Sequence, residues 1–88
     1  MPLNQPVQML SLHDVDGRLQ PLRFRYEDER HVLHTVSIQE ILSAKEIYYA
    51  GIQGLQYLCR ADISHRERLF ELRYLIKSHR WILSRMIL

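Results

Sequence analysis

The chain has 88 residues, of which 47% are hydrophobic and 25% are charged, and its formal net charge is +2 at pH 7. This length predicts one small domain over residues 1–88, and the ordinary composition excludes a low-complexity chain. Residues 1–6 lack the basic and apolar regions of a secretory signal, and charges interrupt the apolar residues 69–88, so no membrane span is expected. The single cysteine, Cys59, excludes an internal disulfide and is typical of the cytoplasm, the expected location.

The first predicted element is a β-hairpin. Residues 1–6 read as a loose lead-in, and alternation over residues 7–12 predicts the first strand. The turn is predicted at Asp14 to Gly17, because Gly17 can adopt the positive φ that closes it and Asp14 can cap it. The returning strand spans residues 22–26, with its leucine and aromatic residues inward and its two arginines outward. The loop length sets these pairs across the hairpin: Leu10 with Leu22 and Gln8 with Phe24.

A third strand and one short helix are predicted next. A charged connection leads to the third strand over residues 32–38. The four residues that begin at Ser43 have the form of a capping box, and Gly51 can end a helix, so we predict a short helix near residues 44–50. Residues 37–50 also fit a longer helix or a continued strand, and these alternatives stay open.

The last third of the chain is predicted to form three antiparallel strands. One face of each strand is apolar with period two, and a slip of one residue would scatter these side chains over both faces. A fold at His65–Arg66 pairs Tyr57 with Tyr74. A second fold around Ser78–His79 pairs Tyr74 with Leu83.

These elements predict an all-β (mainly β) protein. We expect a small antiparallel six-stranded barrel or roll with one short helix between strands 3 and 4. The same registers place Arg85 inward, opposite Leu72, where its guanidinium would reach water at a barrel mouth. The predicted core consists of Leu10, Leu22, Phe24, Val36, Leu55, Tyr57, Leu72, Tyr74, Trp81 and Leu83.

The sequence predicts neither a catalytic site nor a metal site. The turn at Asp14 resembles the start of a calcium loop, but the twelfth position, which needs a glutamate, is Arg25. The five histidines and Cys59 lack the paired spacing of zinc ligands, and His34 is expected to be a hydrogen-bonded, half-buried residue. No nucleophile elbow or phosphate-binding glycine loop is present. We therefore expect a protein that is not an enzyme and that uses no cofactor or metal.

The leading functional prediction is an interaction module that associates with itself or with a protein partner. The outer face of the last hairpin carries Leu75, Ile82 and Met86, although an outer face is expected to be polar. We therefore predict a homo-oligomer that uses these three residues.

The alternative prediction is a small nucleic-acid-binding barrel. Arginine accounts for every basic residue except Lys45 and Lys77, and basic residues are concentrated after residue 59. Basic side chains can follow a phosphate backbone, while an exposed aromatic ring, for which Tyr48 or Tyr49 is the better candidate, can stack on a base. The predicted contacts are Arg23, Arg25, Arg60, Arg73, Lys77 and Arg80.

Three segments carry a family resemblance: residues 22–26 (LRFRY), 54–61 (GLQYLCRA) and 68–72 (RLFEL). Their order resembles that of WYL domains, which are small Sm/SH3-like barrels of bacterial regulators that sense ligands or nucleic acid. The resemblance covers about half of the chain and implies a small barrel and, by analogy, nucleic-acid binding. The whole chain also resembles a family of short, uncharacterised bacterial all-β proteins with a similar strand at residues 21–26 and a tryptophan in the last strand, which implies no function.

Overall fold

A computed structural model describes residues 2–88, apart from the side chains of Pro2 and Tyr49. The chain forms one antiparallel sheet of seven strands that curls into a half-barrel, and the described residues contain no helix. The all-β antiparallel fold is thus confirmed, whereas the six strands and the short helix are wrong. The strands are β1 (Pro2–His13), β2 (Leu19–Glu27), β3 (Leu33–Ser37), β4 (Glu40–Tyr49), β5 (Ile52–Ile63), β6 (Arg66–Leu75) and β7 (Arg80–Met86).

The segment predicted as a helix, residues 44–50, belongs almost entirely to β4. Ile41, Ile47 and Tyr48 are β-branched or aromatic residues, which fit a strand better than a helix. The positive φ of Gly51 (79°), expected to end a helix, instead forms a tight turn to β5 together with Ala50 (51°). Gly51 therefore adopts the left-handed conformation in a hairpin turn and not at the end of a helix.

The N-terminal segment is also a strand, so the lead-in predicted for residues 1–6 is wrong from residue 2 onward, and Met1 lies outside the described residues. The first half of β1 pairs with β7, where Val7 lies opposite Trp81. The second half pairs with β2, where Gln8 lies opposite Arg25. The strand order is therefore β3-β2-β1-β7-β6-β5-β4.

Two residues force the sheet to curl. Strands β3 and β4 lie at opposite edges of the sheet, yet only Ile38 and Gln39 join them. The Ile38 amide donates to the carbonyl oxygen of Leu22 at 2.9 Å, and the Gln39 amide donates to that of Arg60 at 3.0 Å. The chain thus steps from the β2 side to the β5 side in two residues, which brings the two edges together.

The core fills the concave face of the curled sheet. Phe24 of β2 packs edge-to-face on Phe70 of β6, with ring centroids 5.4 Å apart, although two strands separate them in the sheet order. The hydroxyl of Tyr57 donates to the carbonyl oxygen of Leu19, so β5 is tied to β2 across the core. The fully or largely buried hydrophobic residues are Phe24, Val36, Tyr57, Cys59, Ala61, Ile63, Phe70, Leu72, Trp81 and Leu83.

The prediction that Leu10 and Leu22 belong to the core is wrong. Leu10 is 55% exposed and Leu22 is 40% exposed. Leu10 lies opposite Arg23 while Ser11 lies opposite Pro21, so Leu22 is the extra residue of a β-bulge. The bulge leaves Leu22 outside the core, and Leu10 faces outward because its neighbour Met9 packs inward opposite Phe24. The other eight predicted core residues are buried or packed against the core.

In the C-terminal meander, the faces of β5, of β6 and of β7 as far as Leu83 were predicted correctly, but the registers were not. Tyr57 lies opposite Leu72, and Tyr74 lies opposite Trp81, so each pairing is displaced by two residues from the expected one. The first turn sits at Ser64 and His65, which both have positive φ (53° and 64°). A displacement of two keeps the side chains of β5 and β6 on their expected faces.

A second bulge, in β7, reverses which of its last residues face the core. Leu72 lies opposite Leu83 while Glu71 lies opposite Arg85, so Ser84 is the extra residue. Arg85, predicted inward, therefore lies on the outer face, and Met86, predicted outward, packs against the core.

Candidate functional site

The convex outer face of the sheet gathers basic side chains from four strands. Arg73 lies between Ile82 and Gln56, and Gln56 lies opposite Lys45 on the edge strand. By the same alternation, β7 contributes Arg80 and Arg85, and β2, which is separated from β7 by β1, contributes Arg23 and Arg25 on its own outer side. We call the following set the basic band: Arg23, Arg25, Lys45, Arg73, Arg80 and Arg85.

One acidic side chain, Glu71, lies within the basic band and is only 7% exposed. Its Oε1 lies 3.4 Å from Nη2 of Arg73, and its Oε2 lies 3.4 Å from Nε of Arg85. The hydroxyl of the bulge residue Ser84 donates to Glu71, with Oε1 at 2.9 Å and the carbonyl oxygen at 3.0 Å. One carboxylate thus holds two guanidinium groups, and the cluster keeps a net positive charge.

The two arginines retain most of their hydrogen-bond donors. Arg73 and Arg85 are 42% and 55% exposed, and each approaches Glu71 through one nitrogen. Among the described residues, Nε of Arg73 is buried without a hydrogen-bond partner. A guanidinium has five N–H donors in a planar fork that suits phosphate oxygens, so these side chains are held in place but not saturated.

Four of the six predicted nucleic-acid contacts lie in the basic band: Arg23, Arg25, Arg73 and Arg80. Lys77 lies in the turn between β6 and β7, next to the band. Arg60 lies apart, because its Nε donates to Glu40 at 3.1 Å and lies 3.8 Å from Glu67. Its charge is therefore largely offset.

Sequence reasoning missed two members of the band, Lys45 and Arg85. Lys45 was placed on a helix, and Arg85 was placed inward because the Ser84 bulge was not foreseen. For Lys45 the alternative of a continued strand over residues 37–50 would have given the correct face. For Arg85 the unfavourable inward arginine was itself the sign of a register error.

The predicted self-association surface is divided between two faces. Leu75 and Ile82 lie outward and are partly covered, whereas Met86 packs against the core. Leu75 lies opposite Arg80, and Ile82 lies opposite Arg73. The apolar residues of this face therefore alternate with arginines and form no continuous apolar patch.

A second polar cluster organises the loop between β2 and β3. Asp28 Oδ1 accepts from the amides of Arg30 and Val32, and Asp28 Oδ2 lies 2.7 Å from Nε2 of His34. The hydrogen bond from His34, helped by the Val32 amide, lowers the pKa of Asp28 to about 2. The ring of His34 also stacks on Tyr26, with centroids 5.0 Å apart. His34 is thus the half-buried, hydrogen-bonded residue expected from the sequence.

No metal-binding arrangement is found among the described residues, which contain no group of three or more His, Cys, Asp or Glu side chains placed to share an ion. Cys59 is fully buried, and burial raises the pKa of its thiol to about 12, which makes it a poor nucleophile at neutral pH. Within residues 2–88 there is no helix with the length and hydropathy to span a membrane.

Comparison of this chain with protein families, with curated proteins and with solved structures finds no match. The resemblance to WYL domains therefore stays a prediction.

Proposed function

We propose that the protein is a non-enzymatic nucleic-acid-binding module that contacts phosphates through the basic band. The observation that carries this proposal is the position of Lys45, Arg73, Arg80 and Arg85 on the outer side of β4, β6 and β7, where Glu71 is buried between Arg73 and Arg85. Arg23 and Arg25 extend the positive charge around the outer side of β2. Phosphate contacts by such side chains release condensed counterions, which supplies sequence-independent affinity.

The distribution of acidic residues supports this surface. Glu40 and Glu67 neutralise Arg60 at one end of the sheet, and Asp28 lies in the β2–β3 loop. Of these acidic residues and Glu71, only Glu71 contacts the band, through Arg73 and Arg85, and it is largely buried. A band of one sign attracts a polyanion and increases its association rate.

The experiment is fluorescence anisotropy of labelled DNA and RNA oligonucleotides, titrated with the purified protein at several salt concentrations. We expect binding that weakens steeply as salt rises. In the double variant Arg25→Ala/Arg80→Ala, the slope of log affinity against log salt should fall by about one per arginine removed. Neither arginine contacts Glu71, so the variant leaves the buried carboxylate paired.

The matched control is Arg30→Ala/Arg66→Ala, which removes the same charge from exposed positions outside the band. We expect this control to bind almost as the wild type does. An absence of binding at low salt would refute the proposal, and so would an equal loss of affinity in both double variants, because net charge alone would then explain the binding.

Self-association through the last hairpin is the weaker proposal. Pairing this face with a second copy would bring Arg73 and Arg80 close to their symmetry mates, which is unfavourable for like charges. Sedimentation velocity over a wide concentration range tests it. If the wild type forms a dimer, and the Ile82→Glu variant is monomeric with the fold unchanged, this proposal would be restored.

A further inference from the structure

One aromatic side chain beside the basic band is unusually exposed. Tyr48, near the end of β4, is 76% exposed, whereas Tyr26, Tyr57 and Tyr74 are buried or half-buried. Within the described residues, its ring stacks on no other ring and its hydroxyl makes no hydrogen bond to the protein. An exposed ring is free to stack on a ligand, and this contact would bury its apolar surface.

Tyr48 shares a cleft with the basic band. The cleft has a volume of about 470 Å³ and is lined by Ile47, Tyr48, Gln56 and Arg73. Gln56 lies opposite Arg73 on one side and opposite Lys45 on the other. An aromatic ring, an amide and a guanidinium with unused donors therefore meet at one place.

Tyr48 also lines a second cleft. It has a volume of about 600 Å³, and its lining includes Ile52, Ile76 and Lys77. Tyr48 thus shares one cleft with Arg73 and the other with Lys77. A chain that crosses the ring can place phosphates near both cations.

An exposed aromatic ring beside cationic side chains favours single-stranded over double-stranded nucleic acid. A duplex covers the faces of its bases by stacking them on one another, so an exposed tyrosine gains nothing from it. An unpaired base has a free face, and an aromatic ring beside a cationic groove is how proteins hold single strands. We propose, on the basis of the proposed function, that the ligand is single-stranded nucleic acid, with one base stacked on Tyr48 and a neighbouring phosphate on Arg73.

The test uses fluorescein-labelled oligothymidylate and oligouridylate of about ten nucleotides, the matching duplexes, and an abasic oligonucleotide of equal length. The wild type should bind the single strands more tightly than the duplexes. Tyr48→Ala should weaken single-strand binding by about 5- to 100-fold, the effect of losing one stacked base, without changing the salt slope. Tyr48→Phe, which keeps the ring, should stay within about twofold of the wild type.

The abasic oligonucleotide separates stacking from charge. It carries the same phosphates without bases, so Tyr48→Ala should bind it as well as the wild type does. If Tyr48→Ala binds the base-containing strands as the wild type does, while Arg25→Ala/Arg80→Ala binds them less tightly, the stacking inference fails and the proposed function stands. If the wild type binds none of the probes at low salt, both fail.

Discussion

The hydroxyl of Ser84 lies 2.9 Å from Oε1 of Glu71, and this contact joins the β-bulge of β7 to the buried carboxylate of the outer face. The bulge turns Arg85 outward, and the carboxylate then holds both Arg85 and Arg73. A single irregular residue thus determines how many arginines the convex face presents.

Replacing Ser84 should measure this connection. Ser84→Ala removes the hydroxyl that donates to Glu71 and leaves buried acceptors with one partner fewer, so the free energy of unfolding should fall by about 1–2 kcal/mol. Urea denaturation monitored by Trp81 fluorescence provides the value. The control is Ser37→Ala on β3, where the side chain is exposed and the change should stay within about 0.5 kcal/mol. Equal losses in the two variants would contradict the structural role of Ser84.

Replacing Glu71 should have opposite effects on stability and binding. Glu71→Gln removes the charge that holds Arg73 and Arg85, so we expect a loss of about 1–3 kcal/mol in the free energy of unfolding. The same change leaves two guanidinium groups uncompensated, so affinity for nucleic acid should rise at low salt. Glu67→Gln, an exposed carboxylate beside Arg60, is the matched control for charge. If the two variants bind equally, the Glu71 cluster is not part of the binding surface.

The pH dependence of stability should reveal the Asp28 cluster. The folded-state pKa of Asp28 is about 2, below its usual value of 3.8. Its contribution is therefore present above about pH 4 and is lost as pH falls from about 4 to about 2. Asp28→Asn keeps an acceptor oxygen for the Arg30 and Val32 amides but does not titrate. The difference in Tm between wild type and Asp28→Asn should be constant near neutral pH and should shrink toward pH 2. A difference that does not change with pH would contradict the assignment.

A further prediction concerns the contact between β5 and β6 at Gly54. A Cβ at this position would lie 2.6 Å from the carbonyl oxygen of Tyr74, which is part of the backbone. Gly54→Ala should therefore force the strands apart and reduce the free energy of unfolding by about 1–3 kcal/mol. Gln53→Ala, the exposed neighbour on the same strand, should change it by less than about 0.5 kcal/mol. Thermal unfolding of both variants makes the comparison, and equal Tm values would show that the sheet accommodates the methyl group.

Most strand faces could be predicted because successive side chains of a strand point to opposite faces, so the apolar residues repeat every second position. The turn at Asp14 was also predictable, since Asp14 Oδ1 accepts from the amides of Asp16 and Arg18 and Gly17 has φ of 84°. The turn between β5 and β6 was predicted one residue late, at His65–Arg66, whereas the residues with positive φ are Ser64 and His65.

The error at Arg85 and Met86 has one cause, and the error at Lys45 has another. Each of the bulges at Leu22 and Ser84 inserts one residue, which reverses the inward and outward assignment beyond it. Bulges leave no regular mark in a hydrophobic pattern, so Arg85 and Met86 exchanged faces in the prediction. Lys45 was lost because a capping box and a following Gly51 describe a short helix as well as an edge strand. The remaining arginines were found because simple alternation holds through Arg73 and Arg80.

The pairing of β1 with both β2 and β7 also has a consequence for folding. The meander of β5, β6 and β7 is built from neighbouring segments and can form early, whereas Val7 meets Trp81 only when nearly the whole chain is present. Closing such a long loop costs conformational entropy before any contact compensates for it. We therefore expect β1 to dock last. Until it does, the inner surfaces of Trp81 and Leu83 lack their cover on that side, and the partly folded chain is most exposed to aggregation at this stage.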